Sequence, residues 1–249
     1  MKKYFSIFVL IASLAFSQTG LEIAKQINEK EKPADMKADL KMVLTNKKGK
    51  TRSSTIRSIS KDDSKKQIIW FLAPADDKGV SFLKIEHDGE DDEMRLWLPA
   101  FNKIRRISSK QKADSFMGSD MSYEDMTSRE LDEYTYTLKG SETVDEIEYY
   151  LLESVPDSEL DSEYSKHLSW VTKDDLLVLK EESYDNAYRL LKIKRIKFTK
   201  LKGYDVPIEM YVENVQKNHS TKLTFDNLEL DSNVKDDLFQ EKNLKRLPR

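Results

Sequence analysis

The chain has 249 residues, of which 35% are charged, and its formal net charge at pH 7 is −3. A mildly acidic chain of this kind is not expected to bind nucleic acid or anionic membrane surfaces through its overall charge. The sequence contains no cysteine, so disulfide bonds are excluded and an exported form must be stabilised by its hydrophobic core.

The first residues of the chain have the pattern of a secretory leader. Lys2 and Lys3 supply positive charge, residues 4–14 form an apolar run too short to span a bilayer comfortably, and small side chains follow at a cleavage site. We predict a signal peptide over residues 1–17, cleavage after Ser17 and export to the periplasm. The alternative is an uncleaved amphipathic anchor. No cysteine follows the apolar run, so the pattern differs from that of a bacterial lipoprotein.

The pattern of apolar residues predicts one helix followed by a long β region. Leu21, Ala24 and Ile27 would line one side of a helix over residues 20–32, which Pro33 ends. From Met36 onward apolar and charged residues alternate, which is typical of a half-buried strand. The predicted strands cover residues 36–44, 51–60, 66–72, 80–87, 93–98, 103–107, 134–139, 146–155, 166–172, 176–182, 189–199, 206–212 and 220–230.

The remaining segments of this region are irregular or helical. An insert lies around residues 119–130, a shift of the apolar phase within residues 191–198 predicts a bulge, and a helical turn covers residues 234–239. About a dozen strands with hairpin turns predict one antiparallel sheet, which must curl, close or split. No linker or composition break predicts a second domain, so we expect residues 18–249 to form one domain.

One stretch carries a specific family resemblance. Residues 96–100 read LWLPA, residues 103–107 read KIRRI, and residues 115–125 read SFMGSDMSYED. This stretch closely resembles the outer-membrane lipoprotein-sorting proteins, the LolA-like family. The resemblance implies a mainly β fold: a single antiparallel sheet curled into an unclosed half-barrel with short lid helices over its concave face. It also implies a periplasmic carrier of lipid or of lipoprotein acyl chains, without a cofactor, in some members accessory to a lipid-exporting pump.

Nine apolar residues are candidates for the lining of the implied cup. Alternation places six of them on one face of two strands, and three belong to the SFMGSDMSYED stretch, where methionine suits a site that accepts variable chains. The candidates are Met36, Leu40, Met42, Leu44, Met94, Leu96, Phe116, Met117 and Met121. A purely structural role stays open, since Gly118 permits a tight turn and Ser122 and Asp125 have the spacing of a capping box.

A short basic run lies beside Trp97 and Phe101 and consists of Lys103, Arg105 and Arg106. It is compatible with an ordinary solvated strand face. It is also compatible with contacts to a phosphate headgroup, to an acidic partner, or to Glu124 and Asp125 of the same stretch.

Catalytic and metal-binding patterns find little support in the sequence. The three histidines, His87, His167 and His219, lie far apart, and no nucleophile motif accompanies them. Surface or packing roles are favoured over a zinc site for these histidines, and a solvated hairpin is favoured over calcium binding for the acidic residues 88–93. Glu124 and Asp125 are a carboxylate pair, but no sugar cleft is indicated. We predict a monomeric protein that is not an enzyme.

Two further functional classes stay open beside the carrier. A sensor or adaptor would use the same cup to detect mislocalised lipid and act through protein contacts. A structural domain would have a cup filled by its own side chains, as in most barrels. For the carrier, the expected partners are lipid or lipoprotein acyl chains, together with an inner-membrane transporter or an outer-membrane acceptor.

Overall fold

The computed structural model describes residues 18–87 and 89–248, so the predicted signal peptide lies outside the described residues. This part of the chain forms one antiparallel sheet of 13 strands with two short helices, α1 (Gly20–Asn28) and α2 (Glu241–Leu244). The strands are β1 (Asp35–Thr45), β2 (Thr51–Lys61), β3 (Lys66–Ala73), β4 (Ser81–Ile85), β5 (Glu93–Leu98), β6 (Lys103–Arg106), β7 (Tyr134–Val144), β8 (Ile147–Pro156), β9 (Tyr164–Thr172), β10 (Val178–Asp185), β11 (Leu190–Leu201), β12 (Tyr204–Asn214) and β13 (His219–Leu230).

The sheet is an open meander whose two ends do not meet. The strand order is β6-β5-β4-β3-β2-β1-β13-β12-β11-β10-β9-β8-β7, so β1 lies in the middle and β6 and β7 are the edges. The predicted mainly β, unclosed half-barrel is therefore confirmed. The predicted bulge is also present, since the register between β11 and β12 shifts between Lys197 and Phe198.

Helix α1 is shorter than the sequence pattern predicts. Thr19 and Glu22 form a capping box at its start, but the helix ends at Asn28 instead of Lys32. The chain must leave the helix early to enter β1, and a residue that precedes proline, here Lys32, disfavours helical backbone. Ile23 and Ala24 are buried, whereas Leu21, which we expected on the buried side, is exposed.

The docking of α1 depends on a glycine. A Cβ atom on Gly20 would lie 2.7 Å from the backbone nitrogens of Thr137 and Leu138, so only glycine lets the helix approach β7 this closely. Ile23 and Ala24 then pack with Leu152 of β8 and Val171 of β9. The helix thereby covers the far end of the sheet.

The two faces of β1 to β5 have different coverings. The inner face, which carries Leu40 and Met42, packs against residues 107–126, and the outer face of β2 to β5 packs against residues 234–244. The outer cluster consists of Ile59, Ile68, Trp70, Leu83, Trp97, Val234, Phe239 and Leu244. The predicted last helical turn lies in this covering, as a 3-10 turn over Asp236–Leu238 that precedes α2.

The segment between the two edge strands, residues 107–133, lies over the inner face. It contains 3-10 turns at Ser109–Gln111, Glu124–Met126 and Leu131–Glu133. Four of its side chains, those of Ile107, Phe116, Met121 and Tyr123, belong to the inner core cluster. Among the described residues, no helix is long and apolar enough to cross a membrane.

Candidate ligand-binding cavity

The signature loop, which we define as residues 115–126, is held over the inner face by an aromatic cluster. Phe116 packs edge-on against Phe82 at 5.3 Å between ring centroids, and it also contacts Phe71 and Tyr123. Such pairs add stabilisation beyond the burial of apolar area. The loop turns sharply after this residue, where Met117 and Gly118 both have positive φ angles, of 51° and 77°. Phe116 therefore anchors the loop to β3 and β4.

Polar contacts fasten the middle of the signature loop to β13. The backbone N–H of Asp120 donates to Oγ1 of Thr221 at 2.8 Å, and the Asp120 carboxylate accepts from that hydroxyl and lies 2.7 Å from Nδ1 of His219. The hydroxyls of Ser115 and Ser119 donate to backbone carbonyls of the loop and not to His219. The Asp120–His219 pair therefore fastens the loop to the sheet, and neither of these serine hydroxyls hydrogen-bonds to it as a nucleophile would.

The end of the loop is held by a capping box. The backbone N–H groups of Ser122 and Asp125 each donate to the other's side chain, at 2.8 and 3.3 Å. The predicted capping box is therefore present, although it starts the 3-10 turn Glu124–Met126 and not an α-helix. The next carboxylate, Glu124, accepts from the hydroxyl of Ser162 and from the N–H of Glu163. Burial nevertheless raises the pKa of Glu124.

A cavity of about 280 Å³ lies between the signature loop and the sheet. One wall is apolar and is formed mainly by β1, β12 and β13. The apolar lining consists of Met36, Ala38, Leu40, Met42, Ile56, Ile69, Phe116, Met121, Met126, Met210, Val212, Leu223 and Phe225. The cup that the family resemblance implies is thus open at this point and not completely filled by side chains.

The structure divides the nine candidate lining residues into two groups. Met36, Leu40, Met42, Phe116 and Met121 line the cavity. Leu44, Met94 and Leu96 are buried in the inner core cluster, and Met117 packs against it, but none of the four lines the cavity. Alternation placed Leu44, Met94 and Leu96 on the correct face, but the segment that covers them makes them packing residues, and Met117 packs from within the signature loop itself.

The rest of the cavity lining is polar and mostly charged, which the sequence pattern did not predict. We call the part on the signature loop, β4, β10 and β11 the charged wall: Lys84, Asp125, Glu181, Ser183, Lys192 and Lys194. Ser58, Ser64 and Gln67 complete the polar lining. Glu181 pairs with Lys194 across β10 and β11, and Ser183 pairs with Lys192, so all four point to the inner face. Their spacing of two along each strand was the available signal, but charged residues in that pattern usually indicate a solvated face.

One ionic trio of this wall is centred on Glu181. Its carboxylate binds Arg129 in a bidentate manner at 2.7 and 3.0 Å, and Nζ of Lys194 lies 2.8 Å away. Burial disfavours the carboxylate, but the two cations outweigh burial and hold the pKa of Glu181 well below its ordinary value. Glu181 therefore stays ionised inside the protein.

A second ionic trio is centred on Lys192. Its ammonium group donates to Asp125 at 2.8 Å, to Glu163 at 3.1 Å and to the hydroxyl of Tyr164. Burial disfavours the Asp125 carboxylate, but Lys192 outweighs burial and lowers its pKa. Because Asp125 belongs to the signature loop, this trio also ties the loop to β9 and β11.

A buried histidine lies between these charges. His167 is fully buried, with Nδ1 2.8 Å from Oγ of Ser183 and 3.2 Å from Nη2 of Arg129. The guanidinium can only donate, so Nδ1 is an acceptor and the ring is neutral. Burial and the positive charge of Arg129 lower the pKa of His167 to about 3.

The basic run lies on the edge strand β6, away from the charged wall. Lys103, Arg105 and Arg106 are exposed, and Arg105 lies 3.6 Å from Asp114. The suggested pairing of this run with Glu124 and Asp125 is wrong, because those carboxylates are held by other partners on β9, β11 and the residues just before β9. Among residues 18–87 and 89–248, no group of three His, Cys, Asp or Glu side chains is arranged to hold a metal ion.

An open antiparallel half-barrel with an inner cavity under a loop is the architecture that the LolA-like resemblance implies. A structure with this fold, a DUF1329 family protein from Desulfovibrio piger, is 32% identical, with a TM-score of 0.85 and coverage of 90% of this chain and 97% of that chain. An outer membrane lipoprotein-sorting protein domain from Vibrio parahaemolyticus is 30% identical, with a TM-score of 0.86 and coverage of 91% and 98%.

These similarities show that the chain belongs to the outer membrane lipoprotein-sorting protein family, as the stretch over residues 96–126 indicates. A LolA superfamily protein from Nitrosomonas europaea is 20% identical, with a TM-score of 0.72 and coverage of 91% of this chain and 99% of that chain, and it shares the fold. A family model with the description "Uncharacterized protein" matches residues 63–246. No curated protein matches the chain significantly.

Proposed function

We propose that this protein is a periplasmic carrier that holds an acyl chain of a lipid or lipoprotein in the inner cavity and delivers it to a membrane partner. The observation that carries the proposal is the cavity of about 280 Å³ under the signature loop, with its extended apolar wall. Each buried methylene contributes about 0.8 kcal/mol, so a chain of about ten methylenes contributes about 8 kcal/mol before the costs of association. The chemistry requires no cofactor.

The size of the cavity limits the number of acyl chains that it can hold. Its volume of about 280 Å³ lies just below the range of about 300–1,000 Å³ that is usual for ligand sites. The cavity therefore suits one chain, and a cargo with several chains requires the signature loop to move outward. That movement would break the polar fastenings of the loop at Asp120 and Glu124 as well as its aromatic anchor at Phe116.

The remaining elements of the proposal rest on the sequence and the family. The predicted signal peptide and the family's role in lipoprotein sorting support a periplasmic location. The partners that we propose are an inner-membrane transporter, which could be a lipid-exporting pump, and an outer-membrane acceptor. The exposed basic run on β6 is the surface that we propose for contact with a headgroup or an acidic partner.

A transfer assay tests the proposed function. Residues 18–249 are titrated with the fluorescent fatty acid 11-(dansylamino)undecanoic acid, and the loaded protein is then mixed with vesicles of phosphatidylethanolamine and phosphatidylglycerol. We expect stoichiometric binding followed by transfer that is faster than spontaneous release. Tight binding without transfer would favour the sensor or adaptor, and absence of binding would favour the structural domain.

Substitution of Met42 by glutamate is expected to weaken binding of this probe at least tenfold. Met42 lines the apolar wall, and a carboxylate there would meet the bound chain. Lys41→Glu is the matched control, because Lys41 is the exposed neighbour on the same strand and its replacement should leave affinity within twofold. Probe titration and thermal melting of both variants check this.

A second variant helps to distinguish a ligand-binding role of Met42 from an ordinary core role. Leu96→Glu places a carboxylate in the packed cluster away from the cavity, and we expect it to unfold the protein, since an unpaired buried charge costs several kcal/mol. If Met42→Glu and the milder Met42→Gln unfold the protein to the same extent, Met42 is an ordinary core residue and not part of a ligand site.

Reversal of the basic run is expected to slow transfer without affecting loading. The double variant Arg105→Glu, Arg106→Glu changes two exposed side chains, so stability should change by less than about 1 kcal/mol. Transfer to phosphatidylglycerol vesicles should fall about fivefold or more at low salt, and the difference should shrink as salt screens the charges. Lys47→Glu, Lys48→Glu in the β1–β2 turn is the control. Equal transfer by both double variants would indicate that the basic run is an ordinary solvated strand face.

A further inference from the structure

The charged wall of the cavity does not have its charges evenly distributed. The trio around Glu181 has two cations, Arg129 and Lys194, for one carboxylate, while the neutral His167 beside it adds no charge. The trio around Lys192 has the opposite balance, with two carboxylates for one cation, so the two trios together are balanced. Neither Arg129 nor Glu163 lines the cavity. Among the side chains that do line it, three ammonium groups, those of Lys84, Lys192 and Lys194, accompany two carboxylates, those of Asp125 and Glu181, so the lining itself has one more cation than anion.

Two lysines on this wall have ammonium donors that no protein group in the described part of the chain accepts, and water reaches that of Lys194, whose side chain is 29% exposed. An ammonium group has three donors. Lys194 lies close to one carboxylate, that of Glu181, and has no other hydrogen-bond partner or ion pair within the described part of the chain. Lys84 donates to Glu86 and to the carbonyl of Met126, which leaves one donor without a partner in the same part of the chain. Both lysines line the cavity, and the Lys84 side chain is almost completely buried.

The two carboxylates that line the same wall are already compensated. Glu181 is neutralised by the bidentate guanidinium of Arg129, and Asp125 accepts from Lys192 and from the hydroxyl of Tyr164. They therefore oppose an incoming anion less than free carboxylates would. An apolar wall alone would suffice for a chain without a headgroup, whereas the lining of this cavity has three ammonium groups in addition to its apolar wall.

We propose that the cavity takes a single-chain amphiphile with an anionic headgroup, whose chain lies on the apolar wall and whose carboxylate or phosphate binds Lys194, with Lys84 as a second donor. This inference rests on the proposed function, because it assumes that the cavity holds an acyl chain. It adds the chemical class of the ligand and its orientation. The headgroup points toward β10 and β11, and the chain lies along β1, β12 and β13.

The test compares ligands that share one chain and differ in the headgroup. Displacement of the neutral probe N-phenyl-1-naphthylamine is measured with dodecanoate, dodecyl phosphate, 1-dodecanol and dodecyltrimethylammonium. The wild-type protein should bind at least one of the two anions about tenfold or more tightly than dodecanol, and the cation most weakly. The comparison of dodecanoate with dodecyl phosphate shows whether a fatty acid or a phosphate headgroup is the better source of the anion.

Lys194→Gln is the decisive variant, and Lys197→Gln is its matched control. Lys197 lies on the same strand but is exposed and pairs with Glu209 outside the cavity. We expect Lys194→Gln to reduce the preference for the anion to within threefold and to leave dodecanol binding unchanged, while Lys197→Gln keeps the full preference. Thermal melting checks that both variants fold.

The failures of the two proposals are distinguishable. If all four ligands bind the wild-type protein equally, or Lys194→Gln weakens all of them to the same degree, the headgroup site is refuted and the carrier stands. If none of the ligands displaces the probe and the probe itself does not bind, both proposals are refuted.

Discussion

Replacement of Lys192 by methionine is expected to destabilise the folded protein by about 3–5 kcal/mol, because it leaves buried carboxylates without their cation. Asp125 lies 2.8 Å from the ammonium group and Glu163 lies 3.1 Å from it. The Lys192 side chain is only 8% exposed, so water cannot replace it effectively. Urea unfolding followed by circular dichroism measures the loss.

Two companion variants test whether the orphaned carboxylates cause this loss of stability. Lys197→Met removes an exposed lysine from the same strand and should cost less than about 1 kcal/mol. Adding Asp125→Asn to Lys192→Met should recover part of the stability, since it removes one of the orphaned charges. A loss below about 1 kcal/mol for Lys192→Met would show that this trio is solvated and does not hold the signature loop.

Acidification from pH 6.5 to 5 is expected to destabilise the protein through His167. The pKa of this ring is lowered to about 3 in the folded state, so the unfolded chain takes up a proton near pH 6.5 that the folded protein excludes. The contribution of His167 is therefore fully present above pH 6.5 and is lost as pH falls, at up to about 1.4 kcal/mol per pH unit.

The slope of stability against pH is the measurement that tests this. The wild type and His167→Gln are unfolded with urea at intervals between pH 7.5 and 5, a window above the ordinary pKa values of the carboxylates. The variant should show a clearly smaller slope, whatever its absolute stability. Burial raises the pKa of Glu124, which opposes the effect of His167 toward the acid end of this window in both proteins. Equal slopes would mean that His167 takes up protons in the folded protein.

The alternation of apolar and polar residues was enough to predict most of the fold. Each of the 13 strands overlaps a predicted strand. A half-buried strand needs one apolar face, and this requirement produces an alternating pattern in the local sequence. The end of α1 was less predictable, since it depends on how the chain enters β1 and on the close approach of Gly20 to β7. The open sheet edges at β6 and β7 came from the family resemblance, because alternation does not distinguish closed from unclosed sheets.

The candidate site, too, was predictable from the sequence only in part. Alternation predicted that Leu40 and Met42 share the inner face, and both line the cavity. It could not predict that Arg129 meets Glu181, 52 residues away, because that contact depends on how residues 107–133 cross the sheet. Lysines and glutamates at alternate positions indicate solvent unless a covering segment supplies opposite charges, and here residues 107–133 supply Asp125 and Arg129.

These observations describe an amphipathic cavity and not a simple apolar cup. The signature loop contributes to both of its walls, with Phe116 and Met121 on the apolar side and Asp125 on the charged side. In the proposed carrier, opening the signature loop would therefore expose the bound acyl chain and separate the ionic trio around Lys192 in one movement. Such coupling would let a membrane or protein partner that binds the loop release the cargo.

The most direct test of the carrier is native mass spectrometry of residues 18–249, purified from the periplasm without detergent, together with organic extraction of the bound material. We predict a complex with one lipid or acylated peptide per protein, and an anionic headgroup in the extract. A mass without ligand, unchanged after incubation with lipid vesicles, would contradict the account and favour a domain whose cavity stays empty.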